Sequence, residues 1–207
     1  MLYWDKSDAV SFLKFAHEKY PSEHDGRWIY VAYLTALNTG LRAGEIWGLK
    51  PMDLADDGLK ITIRRQYNRV TRQYGPTKGN KNRVVPCNKE LHSELKNLIR
   101  GKQIKIDEPI FMNESRNPIC HDNFIKRSFN TDIEAWAEST GSKIIRFHDL
   151  RHTATTLMIA AGIDIKTVKE ICGHSDIQTT MNYVHMVAGS VENVAKTFSI
   201  LMEKEVS

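Results

Sequence analysis

Residues 148–185 read HDLRHTATTLMIAAGIDIKTVKEICGHSDIQTTMNYVH, and this stretch sets the helical character of the chain. Its first part is predicted to be helical up to Gly162, a residue type that commonly ends helices. Asp164 begins a second, short helix that ends at Gly173. Ser175 and Asp176 are suitable N-cap residues for a third helix. The stretch therefore predicts three consecutive helices joined by tight turns.

Helical patterns also cover much of the sequence that precedes this stretch. Ser7 and Asp8 offer an N-cap to a first helix, and Pro21 closes it. Asn88 is the expected N-cap of a later helix that has one apolar face. Further helices are predicted around residues 28–38, 42–49 and 125–136.

The periodicity changes after Gly58, where Leu59, Ile61 and Ile63 alternate with polar residues as in a half-buried strand. Gly-Pro and Gly-Asn turns interrupt the following residues, and a short apolar run up to Pro86 closes the region. We therefore expect a small antiparallel sheet of about three strands. The predicted fold class is α+β, mainly α-helical, with this sheet on one edge.

The chain shows no internal repeat, low-complexity tract or Ser/Gly linker, so residues 1–207 are expected to form a single domain. Residues 190–207 form an amphipathic C-terminal tail. No apolar run approaches the roughly 20 residues of a membrane-spanning helix, and the N-terminus lacks the pattern of a secretion signal. A cytoplasmic protein with no membrane partner is expected.

The three cysteines give no sign of a metal or redox site. Cys87, Cys120 and Cys172 are widely spaced and form no CxxC pair. Reduced thiols are therefore expected, with neither a metal nor another cofactor.

Positive charge is concentrated in one part of the chain. The formal net charge is only +4. The run from Lys60 to Lys89 nevertheless contains nine basic residues and no acidic one, which leaves 20 basic against 25 acidic residues elsewhere. A surface that neutralises DNA phosphates has this kind of distribution, although a solvated face without function would share it. The candidate DNA contacts in this run are Arg64, Arg65, Arg69, Arg72, Lys81 and Arg83.

His148 and Arg151 are three residues apart on a predicted helix, so both side chains can reach a single group. The pair is a weak motif by itself, but it belongs to a set of five motifs in a fixed order. They are Thr39–Glu45 (TGLRAGE), Thr77–Lys81 (TKGNK, with Arg83 following), His148–His152 (HDLRH), Cys172–His174 (CGH) and Tyr183–His185 (YVH). Together they resemble the tyrosine recombinase or phage-type integrase family, from about Ser7 to Tyr183.

The resemblance implies a site-specific DNA recombinase or integrase of a phage or mobile element. Tyr183 would attack a DNA phosphodiester and form a 3′-phosphotyrosyl link, leaving a free 5′-hydroxyl. Arg42 and Arg151 would bind the nonbridging oxygens of that phosphate. The implied partners are double-stranded DNA and further copies of the protein, arranged as a homo-oligomer, a tetramer, on DNA.

The remaining family positions support the same chemistry. His148 and His174 would hydrogen-bond the phosphate and assist proton movement. Lys78 would protonate the departing 5′-oxygen, and Glu45 would support the site without reacting. The family's usual N-terminal DNA-clamping domain has no counterpart in this sequence. We therefore expect this chain alone to bind DNA weakly and with little sequence preference.

The residue types suit this reaction on physical grounds. Attack adds negative charge to the phosphate oxygens, and fixed guanidinium groups stabilise that charge with paired hydrogen bonds. A phenol is a weak nucleophile at neutral pH and needs a positive pocket with a nearby proton acceptor. A lysine in a hairpin with a flexible residue, here Lys78 beside Gly79, can protonate the leaving alkoxide.

Simpler readings remain open for single residues. Arg42 and Glu45 can form an ordinary ion pair on a helix, and Lys81 can replace Lys78 in its role. We interpret His152 and His185 as structural or solvent-exposed. The tail, which includes Val191, Val194, Ala195, Phe198, Leu201 and Met202, can cover the domain's own core or, as the family often shows, dock on a neighbouring protomer.

Three other functions compete with this one. Residues 160–168 resemble the turn of a helix-turn-helix, which with a basic sheet would suit a DNA-binding regulator without catalysis. A type IB topoisomerase would use similar tyrosine chemistry. A zinc hydrolase built from His148, His152, Cys172 and His174 lacks an HExxH motif and a carboxylate ligand.

Overall fold

The computed structural model describes residues 2–113 and 115–187. The tail at residues 190–207 lies outside the described residues. Short 3-10 and π-helical segments span Pro51–Asp53 and Ile125–Phe129. The α-helices are α1 (Lys6–Lys19), α2 (Arg27–Thr39), α3 (Ala43–Trp47), α4 (Lys89–Gly101), α5 (His121–Phe124), α6 (Asn130–Thr140), α7 (Asp149–Ala160), α8 (Ile165–Cys172) and α9 (Ile177–Val187).

The basic region folds into four short strands, β1 (Lys60–Ile63), β2 (Arg65–Asn68), β3 (Gln73–Pro76) and β4 (Arg83–Pro86). β1 pairs with β4 and β2 pairs with β3, both antiparallel. The predicted class, mainly helical α+β with a small antiparallel sheet, is confirmed. The sheet region has one strand more than predicted because β2 and β3 turn back through Arg72 at φ 55, a turn without glycine.

α2 is the central helix of the described residues. It is apolar on nearly every side, as expected for a helix surrounded by other elements. It packs against α1, α3, α4 and α7. α7 begins directly after His148. Packing in the core therefore places the HDLRH motif, His148–His152, beside the ends of α2 and α8.

An aromatic cluster fixes the start of α7. Phe147 stacks on Trp47, with ring centroids 6.2 Å apart and planes 8° apart. It also meets Phe124 at 5.1 Å and Phe129 at 5.4 Å. The buried ring leaves the next residue, His148, exposed at the surface.

Most predicted helix ends are confirmed, and one is wrong. Asn88 and Asp164 cap α4 and α8 through their side chains, and Gly173 ends α8 at φ 66. The N-cap of α1 is Asp5, whose carboxylate accepts from the Asp8 backbone N–H at 2.9 Å, in place of the predicted Ser7 and Asp8.

Within the described part of the chain, no helix has both the length and the apolarity needed to cross a membrane.

Candidate active site

Arg151 joins the ends of three helices. Its side chain is buried and donates to the Gly40 carbonyl at 2.6 Å and to the Cys172 carbonyl at 2.7 Å. These carbonyls follow α2 and end α8, where backbone oxygens lack partners within the helix and carry partial negative charge. Burial, followed by the nearby Arg42 charge, lowers the pKa of Arg151. The guanidinium is therefore fixed in place before any substrate arrives.

A second arginine, Arg42, lies at the start of α3. It donates to Glu45 Oε1 at 3.2 Å and to the Gly173 carbonyl at 3.0 Å. Its side chain is 27% exposed, which leaves part of the guanidinium open to the neighbouring cleft.

Glu45 is the buried carboxylate that organises this corner. Both of its oxygens accept from the Arg83 guanidinium, at 2.8 and 2.7 Å, and one accepts from the Arg42 backbone N–H at 2.9 Å. Burial alone would raise the pKa of Glu45, but the bonds from Arg83 and Arg42 lower it overall. Glu45 is thus a paired anion that positions two arginines.

Three successive carbonyls at the end of α8 each hold one arginine. Ile171 accepts from Arg83 Nε at 2.8 Å, while Cys172 and Gly173 accept from the guanidiniums of Arg151 and Arg42. The negative end of one helix therefore gathers cations that would otherwise repel each other.

A cleft of about 890 Å³ opens beside these arginines. Lys78 lies at its edge, in a tight loop in which Thr77 Oγ1 donates to the Lys81 carbonyl at 2.7 Å. The loop reverses through Gly79 at φ 92 and Asn80 at φ 52. The other lining residues include Arg42, Lys81, Arg83, Lys169, Gly173 and His174, with Glu170 as the acidic member. The cleft is therefore strongly cationic, as a phosphate site must be.

The two family histidines differ in exposure. His148 is exposed over much of its surface, but the part that the protein covers, followed by the charge of Arg151, lowers its pKa. His174 lines the cleft, and its Nδ1 contacts Thr180 Oγ1 at 2.9 Å. Burial, then Arg151 and Arg42, lowers the pKa of His174 to about 4. Both rings are thus suited to neutral hydrogen bonding at neutral pH.

Tyr183 lies behind the cleft, and the side chain of His174 is between the two. Its ring stacks on His174, with centroids 6.0 Å apart and planes 8° apart. The side chain is 1% exposed, and its hydroxyl contacts His152 Nδ1 at 2.5 Å. Burial raises the pKa of the phenol, and the charge of Arg151 opposes that rise. The structure thus brings Arg42, Arg151, His174 and Tyr183 together at one site.

The six candidate DNA contacts fall into two groups. Arg65 and Arg83 are largely buried in ion pairs, Arg65 with Asp53 at 2.5 Å and Arg83 with Glu45. These two guanidiniums therefore act within the protein, which favours a positioning role over contact with DNA. Arg64, Arg69, Arg72 and Lys81 are exposed.

Sequence reasoning misses three residues of the site. His152, expected to be structural or exposed, contacts the Tyr183 hydroxyl. Asp149 lies 3.7 Å from His152 Nε2, and Lys169 lines the cleft. The HDLRH motif contains the first two, and their spacing on one helical face is the available signal. Within the described ranges, no group of three or more His, Cys, Asp or Glu residues is placed to hold a metal, so the zinc alternative gains no support.

The sequence matches the Phage integrase family over residues 3–189. The chain belongs to this family. Curated relatives include a tyrosine recombinase XerC-like protein of Caldanaerobacter subterraneus subsp. tengcongensis, 29% identical over 85% of this chain and 50% of the relative. The tyrosine recombinase XerC of Corynebacterium glutamicum is 33% identical over 72% of this chain and 43% of the relative. This phage integrase family chain thus spans about half the length of the curated relatives it matches.

Solved structures show the same fold. The Tn1549 transposon integrase in complex with circular intermediate DNA superposes with a TM-score of 0.75, at 24% identity, covering 97% of this chain and 67% of that one. The XerA recombinase superposes with a TM-score of 0.71, at 22% identity, covering 96% and 65%. The described residues therefore share the fold of these recombinase structures.

Proposed function

We propose that this chain is the catalytic domain of a site-specific DNA recombinase or integrase that cleaves and rejoins DNA through Tyr183. The observation that carries the proposal is the cationic cleft bordered by Arg42, Lys78 and His174, with the phenol stacked directly behind His174. Family membership and relatives named as tyrosine recombinases support the same reaction.

A DNA phosphate in the cleft would be held through its nonbridging oxygens. Arg42 and Arg151 are restrained by backbone carbonyls, so their remaining N–H groups need little reorganisation to stabilise the added charge of the transition state. His174 has Nε2 left for the phosphate, because Nδ1 faces Thr180. His148, exposed at the start of α7, would give a further hydrogen bond.

Attack by Tyr183 would form a 3′-phosphotyrosyl bond and release the 5′-oxygen, which Lys78 would protonate. Lys78 suits this role because it projects from a tight loop at the edge of the cleft. One ester replaces another, so the energy of the bond is kept and rejoining needs no external energy source.

The proposal extends to the assembly expected from the sequence. Double-stranded DNA would bind the cleft and the exposed cations Arg64, Arg69, Arg72 and Lys81. A tetramer on DNA and a tail that docks in cis or in trans belong to the same proposal. The cytoplasmic location expected from the sequence is part of it as well, because DNA is the substrate.

A nicked suicide duplex tests the reaction, because loss of the short 5′ fragment traps the covalent intermediate. The expected result is a protein–DNA adduct on a denaturing gel, which Tyr183→Phe abolishes. Tyr74→Phe is the matched control and should retain the adduct, since Tyr74 packs against Tyr67 and does not line the cleft. An adduct that persists in Tyr183→Phe would assign the nucleophile to another residue.

A further inference from the structure

Tyr183, His152 and Asp149 form a continuous chain of polar contacts. The family resemblance assigns a role to Tyr183 but none to His152 or Asp149. The Tyr183 hydroxyl contacts His152 Nδ1 at 2.5 Å. On the other side of the ring, His152 Nε2 lies 3.7 Å from Asp149 Oδ1. Phenol, imidazole and carboxylate thus follow one another in the order of a nucleophile, its base and the group that orients the base.

The carboxylate end of this chain is fixed by the protein. Asp149 is fully buried, and Arg146 donates to it from its backbone N–H at 2.9 Å and from its guanidinium at 2.9 and 3.0 Å. Asp149 and His152 are three residues apart on α7, so they lie on one face of the helix. The imidazole therefore has the carboxylate on one side and the phenol on the other.

His152 is uncharged near pH 7, which is the state that a proton acceptor needs. Burial, followed by the neighbouring His148, lowers the pKa of His152 to about 4. The ring is therefore neutral near pH 7, with a lone pair free on one nitrogen. Asp149 favours a hydrogen on Nε2, which leaves the Nδ1 lone pair facing the phenol.

We propose that His152 is a catalytic residue whose Nδ1 accepts the proton of Tyr183 during attack, and that Asp149 stabilises the resulting imidazolium. This inference rests on the proposed function. In the cleavage step the bond from Tyr183 Oη to phosphorus forms and the bond from phosphorus to the 5′-oxygen breaks. The phenol proton moves to His152, and the 5′-oxygen takes a proton from Lys78. His174 then remains free to bind the phosphate.

Cleavage rates of His152→Ala across a range of pH test this role. At saturating suicide duplex and pH 7, the adduct should form about 10²–10⁴-fold more slowly than in the wild type, the usual contribution of a general base. The deficit should shrink about tenfold per pH unit as pH rises, because the phenol then ionises without help. A deficit that does not change with pH, or an unchanged rate, would overturn the proposal.

Other titratable and charged groups face His152, so the profile needs reference variants. These groups are Arg146, His148, Asp149 and Arg151 on α7 and its approach, His174 after α8, and Tyr183 on α9. Asp149→Asn should lower the rate less than His152→Ala and keep the wild-type shape of the profile. An Asp149→Asn rate equal to that of the wild type would remove Asp149 from the proposal.

A duplex with sulfur in place of the bridging 5′-oxygen separates the two proton transfers. Thiolate leaves without a proton, so this duplex should restore cleavage by Lys78→Ala and leave His152→Ala slow. Recovery of His152→Ala would place His152 on the side of the leaving group and contradict the assignment.

Nitrogen NMR on the chain labelled with ¹⁵N-histidine tests the contact without DNA. We expect His152 to carry its hydrogen on Nε2 at pH 7 and its Nδ1 signal to shift in Tyr183→Phe. A hydrogen on Nδ1 would overturn the inference, since that nitrogen could then accept no proton. Failure of the proposed function gives a different pattern, in which the wild-type chain forms no adduct whatever the state of His152.

Discussion

The residues of the site are held by the backbone at the end of α8. Three arginines from separate parts of the chain, Arg42, Arg83 and Arg151, donate to successive carbonyls at residues 171–173. Gly173 makes this possible, since it takes the left-handed φ of 66° that ends the helix. The positions of these three arginines thus depend on the backbone conformation of Gly173.

Gly173→Ala should destabilise the protein and slow cleavage together. A Cβ at this position would lie 2.9 Å from Arg83 Cζ, so the Arg83 guanidinium would have to shift and its hydrogen bonds to Glu45 would weaken. We expect about 1–2 kcal/mol from the left-handed backbone and roughly 1–3 kcal/mol more from the weakened pairing of the buried carboxylate. Urea unfolding and the rate of adduct formation measure the two effects.

Gly141→Ala is the matched control. Gly141 also ends a helix in the left-handed region, at φ 72, but a Cβ added to it would meet no other group within 4 Å. It should therefore show the backbone penalty alone and a wild-type cleavage rate. Equal effects of the two substitutions on both measurements would contradict the role of Arg83.

The sequence identifies the site residues better than their partners. The motifs predict Arg42, Arg151, His174 and Tyr183, and the structure brings these four together. Arg83 resembles another DNA-facing cation in the sequence, because its partner Glu45 lies 38 positions earlier and no local pattern links them. His152 resembles a structural residue for a similar reason, since its contact is on a different helix.

At the scale of elements, α7 and α9 carry the groups of the proposed reaction. α7 carries Asp149, Arg151 and His152, and α9 carries Tyr183. The two helices pack against each other, and α8 packs against both. His152 and His174 are therefore half-buried between these elements, and their lowered pKa values keep both rings neutral near pH 7.

This arrangement predicts a loss of stability in mild acid. His152 and His174 each have a pKa of about 4 in the folded chain, against about 6.5 in an unfolded one. Between these values the unfolded chain binds protons that the folded chain does not. Stability is therefore full above pH 6.5 and falls as pH drops toward 4, by on the order of 1 kcal/mol per pH unit after allowance for solvent screening.

Urea unfolding at pH 7 and pH 5 measures this effect. The double variant His152→Ala, His174→Ala should show a flatter dependence on pH, because the two titrating groups are gone. Equal stability of the wild-type chain at both pH values would contradict the neutral imidazole cluster.

Elements with a strong local signal are predictable from the sequence, and those defined by tertiary contacts are not. The caps Asn88 and Asp164 and the stop at Gly173 follow from side-chain chemistry close to each helix end. The β2–β3 hairpin escapes prediction because its turn uses Arg72 in place of glycine. The π-helical turn at Ile125–Phe129 also escapes prediction, because the sequence predicts one continuous helix around residues 125–136.

At the scale of the whole molecule, charge is redistributed by folding. Lys78 and Lys81 of the basic run line the cleft, whereas Arg65 and Arg83 form ion pairs with carboxylates inside the protein. Lys169 joins the cleft from α8, far from the run in sequence. The surface proposed to meet DNA therefore differs from the one that a linear count of charges predicts.

Lys169→Ala should weaken binding of duplex DNA and reduce its dependence on salt. Loss of one phosphate contact lowers the magnitude of the slope of log K against log[salt] by about 1. Fluorescence anisotropy over a series of NaCl concentrations measures the slope. Lys14→Ala, an exposed position on α1 outside the cleft lining, should leave it unchanged. Equal slopes for the two variants would remove Lys169 from the DNA surface.

The central claim is that the phenol of Tyr183 becomes bonded to DNA. Mass spectrometry of proteolytic peptides from the suicide-duplex adduct, after nuclease digestion, tests it most directly. We expect a nucleotide linked through its 3′-phosphate to the peptide that contains Tyr183. A nucleotide on another residue, or linkage through a 5′-phosphate, would contradict the account.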